Sequence, residues 1–286
     1  MECIRIYKTN SALLIEYKDQ YYNIDANWNS FVNRKGLFRQ VQADLRGKTP
    51  IEKAAAGKLL AGEVLAPIGT QEVWAAGVTY YRSRTARMEE SEISGGATFY
   101  DKVYIAERPE LFFKATPNRV SGHGQTVFIR EDSSWDVPEP ELTLFISSEG
   151  TIEGYTIGND MSSRSIEGEN PLYLPQAKVY EKCAGLGPCL MVPDAPIPPD
   201  TNIRMVIYRN SEVKYSDSVP ISQMKRSHAE LVSFLYHSCA FADGCYLMTG
   251  TCLVPGNDFT LQDNDRVEIS IDHIGKLVND VQTCRL

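Results

Sequence analysis

Glu139-Pro-Glu-Leu-Thr-Leu-Phe-Ile146, followed by Gly154-Tyr-Thr-Ile-Gly-Asn-Asp160, are two short apolar runs parted by a polar turn. Runs of this length, bounded by Pro, Gly and Asn-Asp, read as strands of a hairpin rather than as helix. Working outward, the same rhythm recurs at residues 73–78, 111–114, 126–129, 203–208, 213–215 and 267–271, with clusters of Gly, Pro, Asn and Asp between them. That pattern argues for irregular hairpins and against repeated βαβ units. One helix is expected over residues 227–240. Upstream, residues 4–7, 12–17 and 21–24 read as three short strands, and 37–45 and 51–60 as helices. Leu65-Ala-Pro-Ile-Gly69 then reads as a linker. The expected fold class is mainly β (α+β), with a small N-terminal α/β domain over residues 1–68 and a larger domain over 69–286 that carries the chemistry.

The bulk properties exclude several roles. The 286 residues, 43% hydrophobic and 23% charged, are those of an ordinary soluble globular chain able to build its own core. The formal charge of −8, with scattered Lys and Arg, leaves no basic stripe for a phosphate backbone, so nucleic acid is not an expected partner. An acidic protein that handles a small anion must concentrate positive charge locally, and a bound metal plus one or two buried bases would do so. No apolar run is long enough to span a membrane, and the first residues lack an apolar leader core. The seven cysteines form no CxxC pair and read as small buried hydrophobes. A reduced, cytoplasmic protein is therefore expected.

The chemistry returns to the opening stretch. Residues i and i+2 of a strand face the same way, so Glu139 and Glu141 can converge on one point. Pro140 between them cannot donate to a ladder, which favours an edge or a strand start. On most proteins a Glu-x-Glu pair is only a solvated face, and the Asn-Asp that ends in Asp160 is usually a turn. Three carboxylates that did meet would suit a hard cation such as Mg2+, leaving about three octahedral positions for a chelating ligand. Lys178 lies in Tyr173-Leu-Pro-Gln-Ala-Lys178, an apolar setting where a lysine either snorkels or faces a carboxylate or oxyanion. Glu110 is a charge that opens an apolar strand. The four histidines lack metal-ligand spacing, which disfavours zinc, and no nucleophile elbow or Gly-rich phosphate loop is present.

Taken in order, these motifs closely resemble the fumarylacetoacetate hydrolase superfamily. The resemblance rests on Glu139-x-Glu141-Leu and Gly154-Tyr-Thr-x-x-Asn-Asp160-x-Ser-x-Arg164. It rests equally on Leu111-Phe-Phe-Lys114, on Ala177-Lys178 leading to Gly185-Leu-Gly-Pro188, and on Thr249-Gly-Thr251. It covers about residue 74 to the end and implies a β-roll catalytic domain. It also implies Mg2+ or Mn2+ held by Glu139, Glu141 and Asp160, a 2-oxo acid chelating that metal, and Lys178 beside it. Members that cleave carbon–carbon bonds carry Gly-x-Asn-Tyr-x-x-His-x-x-Glu, whose His–Glu pair activates water. Here the segment is Gly77-Val-Thr-Tyr80-Tyr-Arg-Ser83-Arg-Thr-Ala86. Ser83 and Ala86 stand at the dyad positions, and Ser is no base near neutral pH.

The segments Gly77-Val-Thr-Tyr80 with Ala86-Arg87, Arg108-Pro-Glu-Leu-Phe-Phe-Lys114 and Tyr173-Leu-Pro-Gln-Ala-Lys178 look like the sugar-acid branch, the 2-keto-3-deoxypentonate dehydratases. That likeness implies Mg2+-dependent β-elimination of water from a 2-keto-3-deoxy sugar acid, arabinonate or xylonate, to a 2-oxo semialdehyde. Glu110 and Lys178 would form the acid–base pair, and Ser83, Arg87 and Thr251 would contact substrate. A homodimer or homotetramer is implied as well. The alternatives are an acylpyruvate-type C–C hydrolase or an oxaloacetate-type decarboxylase on the same metal site, or a non-catalytic sugar-acid binder.

Overall fold

The computed structural model describes residues 1–62, 64–80 and 103–285. Its strands in chain order begin with β1 (Cys3–Lys8), β2 (Leu13–Tyr17), β3 (Gln20–Ile24), β4 (Glu72–Gly77), β5 (Glu110–Ala115) and β6 (Val120–Ser121). There follow β7 (Thr126–Arg130), β8 (Asp136–Val137), β9 (Pro140–Ile146), β10 (Ile152–Asp160), β11 (Ser162–Ser163) and β12 (Ala184–Pro193). The last are β13 (Asn202–Arg209), β14 (Glu212–Pro220), β15 (Cys245–Met248), β16 (Arg266–Ile271) and β17 (Gly275–Cys284). The fold is mainly β, as the strand rhythm implies.

A ten-stranded sheet runs β3-β2-β1-β12-β10-β9-β15-β4-β5, with β6 added beside β12. A five-stranded sheet runs β14-β13-β16-β17-β7, and β11 pairs with β8. Strands β12 and β10 of the large sheet pack on β17 and β16 of the small one. One apolar core joins them, with Ile157, Leu186 and Leu190 on one side and Ile269, Leu277 and Val281 on the other. Every residue of β9 is buried, which explains why it reads as a continuous apolar run. In β13 buried positions alternate along Ile203, Met205 and Ile207, the pattern of a sheet with one covered face.

Strand β1 pairs antiparallel with β12, from Cys3 opposite Pro193 to Ile6 opposite Leu190. The first three strands thus continue the sheet that carries the site. The expected helix over 227–240 is shorter, His228–Leu235. Ser227 caps its start by accepting from the Glu230 amide. It stops because Tyr236 turns its hydroxyl to the carbonyls of Ile146 and Ser147, and Ser238 takes a left-handed φ of 63°. Among the described residues, no helix is long and apolar enough to cross a membrane.

Candidate metal centre

Strand register brings the carboxylates together. Glu141 lies opposite Gly158 and Pro140 opposite Asn159 on the neighbouring strands β9 and β10. Glu139 and Asp160 come next and exchange both backbone hydrogen bonds, at 3.2 and 2.9 Å. Opposed residues share a face, and so do residues two apart, so Glu139, Glu141 and Asp160 all project to one side. One carboxylate oxygen from each lies within 4.8 Å of the others. Asp160 closes β10 rather than sitting in a turn. Pro140 opens β9, a strand interior to the sheet, at the one place where its missing N–H costs little. Gly158 leaves the space opposite Glu141 clear, since a Cβ there would fall 2.3 Å from Thr143 Oγ1.

All three carboxylates are buried, and three buried cations answer them. Lys178, which ends the short helix Leu174–Lys178, donates from Nζ to Glu139 Oε2 at 2.8 Å, Asp160 Oδ2 at 3.2 Å and Ser162 Oγ at 2.5 Å. Its ammonium also faces the Phe112 ring at 5.6 Å. Arg164, at the start of the helix Arg164–Glu169, donates from Nη2 to Glu139 Oε1 at 2.5 Å, with Glu167 Oε2 at 3.8 Å from its Nε. Lys114 on β5 places Nζ 2.6 Å from Asp160 Oδ1. The snorkelling alternative for Lys178 therefore does not describe it.

Glu141 is held differently. Its Oε2 accepts from the Gly250 amide at 2.6 Å. Gly250 has φ 95°, and a Cβ there would lie 2.0 Å from Thr79 Oγ1 and 2.9 Å from the Ala76 carbonyl, so the position requires glycine. Thr79 fixes that turn by donating to the Thr249 carbonyl at 2.7 Å. Burial, and then the charges of Asp160 and Glu139, push the Glu141 carboxyl well above the ordinary range, against Lys178 and the Gly250 amide. A cation placed among the three would relieve that strain.

Thr251 lines the cleft above the carboxylates, together with Gly77, Phe112 and Arg164. The Glu110 carboxyl packs on Gly77, where a Cβ would come within 1.9 Å of Oε2. Glu110 opposes Gly77, a residue of the cleft lining, across β4 and β5. Ser83, Ala86 and Arg87 lie outside the described residues. Sequence reading gave Lys114, Ser162, Arg164 and Gly250 a place in the family motifs but no role. Apart from its place in that motif, the signal for Lys114 was a charge closing the apolar run Leu111-Phe-Phe.

The donor set fits a hard divalent cation. It is all carboxylate oxygen, buried, and already braced by N–H donors that fix each ligand's orientation, the arrangement that Mg2+ or Mn2+ accepts.

Comparison with known proteins agrees with this geometry. Residues 95–282 match the family described as fumarylacetoacetate (FAA) hydrolase C-terminal. A Haloferax volcanii protein named "probable 2-keto-3-deoxyxylonate dehydratase" is 50% identical over 218 residues, 76% of this chain and 74% of that one. The 2-dehydro-3-deoxy-D-arabinonate dehydratase of Saccharolobus solfataricus is 44% identical over 221 residues, 77% of this chain and 74% of that one. A solved structure of 2-keto-3-deoxy-D-arabinonate dehydratase complexed with magnesium and 2,5-dioxopentanoate superposes with a TM-score of 0.84 at 34% identity, covering 100% of both chains.

Proposed function

Since this chain belongs to the fumarylacetoacetate hydrolase family, we propose that it is a Mg2+-dependent dehydratase of a 2-keto-3-deoxy sugar acid. The substrate is 2-keto-3-deoxy-arabinonate or -xylonate and the product a 2-oxo semialdehyde. The observation that carries the reading is the buried convergence of Glu139, Glu141 and Asp160 with Lys178 against two of them. Residues 69–286 hold every described member of the site, and residues 1–68 add three strands to the sheet that carries it.

Glu139, Glu141 and Asp160 would hold the metal, which supplies Lewis acidity toward the carboxylate and keto oxygens of a 2-oxo acid and so acidifies its C3 protons. Three carboxylates stand against three cations, so a bound dication leaves a positive surplus, complementary to an anionic substrate even when Glu167 is counted. Lys178 and Glu110 act as the acid–base pair, one taking a C3 proton and the other protonating the departing C4 hydroxyl. Loss of water leaves a C3–C4 double bond. Transfer of a proton from C5 to C3 and ketonisation of the resulting enol turn the C5 carbinol into the aldehyde. Ser83 and Arg87 bind the substrate's hydroxyl and carboxylate groups, and Thr251 contacts it from the cleft wall. The protein works as a homodimer or homotetramer in the cytoplasm, and light scattering tests the assembly.

The test is incubation with Mg2+ and each of the two sugar acids, with 2,5-dioxopentanoate followed by trapping of its aldehyde. Chelation should abolish the product and Mg2+ restore it. Absence of semialdehyde from both substrates, with Mg2+ bound, would refute the reading.

A further inference from the structure

Lys114 is fully buried near the end of β5, where its ammonium donates to two carbonyls and is ion-paired with one carboxylate. The ion pair is with Asp160 Oδ1 at 2.6 Å, and the accepting carbonyls are those of Met161 at 2.8 Å and Lys178 at 2.5 Å. The Tyr180 ring lies 5.7 Å from the same nitrogen. Asp160 is therefore gripped on one oxygen by Lys114 and on the other by Lys178, while Lys114 also holds the backbone of Lys178. The result is a closed circuit of Lys114, Asp160 and Lys178. It ties the end of β10 to the end of the Leu174–Lys178 helix, two pieces of chain that share no strand pairing.

We propose that Lys114 is a positioning residue that sets the Lys178 ammonium against the metal ligand Asp160. The inference rests on the function proposed above. It differs from the simpler view that Lys114 only neutralises a buried carboxylate, because the two views predict opposite signs. If Lys114 is merely a counter-charge, removing it takes a positive charge from beside a cation site, and Mg2+ should bind more tightly. If it positions Asp160, its loss frees that ligand and Mg2+ should bind less tightly, whatever the Coulomb gain.

Lys114→Met keeps most of the volume and removes the charge; Lys114→Arg keeps the charge but replaces three converging donors with a planar fork. Mg2+ affinity is measured by calorimetry without substrate, kcat and KM at saturating Mg2+, and folding by circular dichroism. Positioning predicts a Mg2+ Kd raised about fivefold or more in Lys114→Met, and kcat lowered about a hundredfold in both variants with KM nearly unchanged, the scale expected for a displaced reacting group. A Mg2+ Kd that falls in Lys114→Met, or a Lys114→Arg protein with wild-type kcat, overturns the proposal. Should Lys114→Met not fold, the Arg variant carries the comparison. If that charge-keeping variant does not fold either, Lys114 serves the scaffold and the proposal fails. Wild-type protein that binds no Mg2+ or forms no semialdehyde sinks the proposed function instead, so the two failures are distinguishable.

Discussion

Replacing Glu141 with Gln should make the metal-free protein more stable and the Mg2+-bound protein less so. The three carboxylates offer ligand oxygens within 4.8 Å of one another, and at an effective dielectric near 20 a like-charge pair at that distance costs about 3.5 kcal/mol. Lys178 and the Gly250 amide offset part of this, leaving a net gain of about 1–3 kcal/mol on removing the Glu141 charge. Gln keeps the shape, and its carbonyl can still accept the Gly250 amide. For a chain of this size the gain corresponds to a Tm rise of roughly 2–6 °C in EDTA. Mg2+ at about a thousand times its Kd should add about 4.1 kcal/mol to the wild type and little to the variant, so the two stability orders cross. The sign also fixes the pH dependence. A carboxyl whose folded pKa is raised stabilises the fold fully only below its ordinary value of 4.5 and loses that contribution as pH rises, so the Gln advantage in EDTA should widen as the pH is raised above that value. Calorimetric melts of both proteins, with EDTA and with Mg2+, read all three effects. A Gln variant less stable than wild type in EDTA would refute the repulsion argument, and one that keeps the full Mg2+ shift would remove Glu141 from the ligand set.

Lys178→Ala should lower turnover by about a hundredfold or more with the fold retained, and a variant as active as wild type in the semialdehyde assay would end the proposed role of that residue. Gly250→Ala must move the turn away from Ala76 and Thr79. It should cost about 1–3 kcal/mol in thermal melts and weaken Mg2+ binding through the displaced Glu141 donor. Asp136 is buried, and burial pushes its carboxyl up to about 6 from 3.8. Its stabilising contribution is therefore present below pH 3.8 and lost as pH rises through about 6. Asp136→Asn should match wild type near pH 4 and exceed it above about pH 6, by at most about 3 kcal/mol, in denaturant titrations across that range.

How much of this could be read in the sequence depended on whether the signal was local. The hairpin of β9 and β10 was visible because both strands are buried and bounded by turn residues, although β10 begins two residues before the stretch first recognised. Strand β12 was not, because Gly185, Gly187 and Pro188 are poor strand formers; neighbours β1 and β10 impose the extended form on them. The same-face geometry of Glu139 and Glu141 followed from period two, but their meeting with Asp160 depends on register, which one residue of slip would destroy. Lys114 shows the limit most clearly. Its ion-pair partner Asp160 and its acceptors on Met161 and Lys178 are all far along the chain, and nothing in Leu111-Phe-Phe-Lys114 specifies them.

The cations themselves argue that this cluster is kept for chemistry rather than for stability. Buried ion pairs commonly stabilise a fold less than apolar residues of the same volume would, because desolvation cancels much of the attraction. Here three carboxylates and three cations are buried together, and the cations come from β5, from the Arg164–Glu169 helix and from the Leu174–Lys178 helix. A core selected for stability alone has no need to gather charges from three elements at one point. A site that must hold a dication and then an anionic substrate does, because its ligands have to be fixed before either arrives. Lys178 braces Glu139 and Asp160, Arg164 braces Glu139, and Gly250 braces Glu141, so each ligand is oriented by a donor that the metal does not displace. The same bracing bears on the missing water-activating dyad. With Ser83 and Ala86 where that pair would stand, the proposed acid–base pair of Lys178 and Glu110 would move protons on the substrate carbon chain. Elimination needs only that, whereas hydrolysis needs an activated water as well.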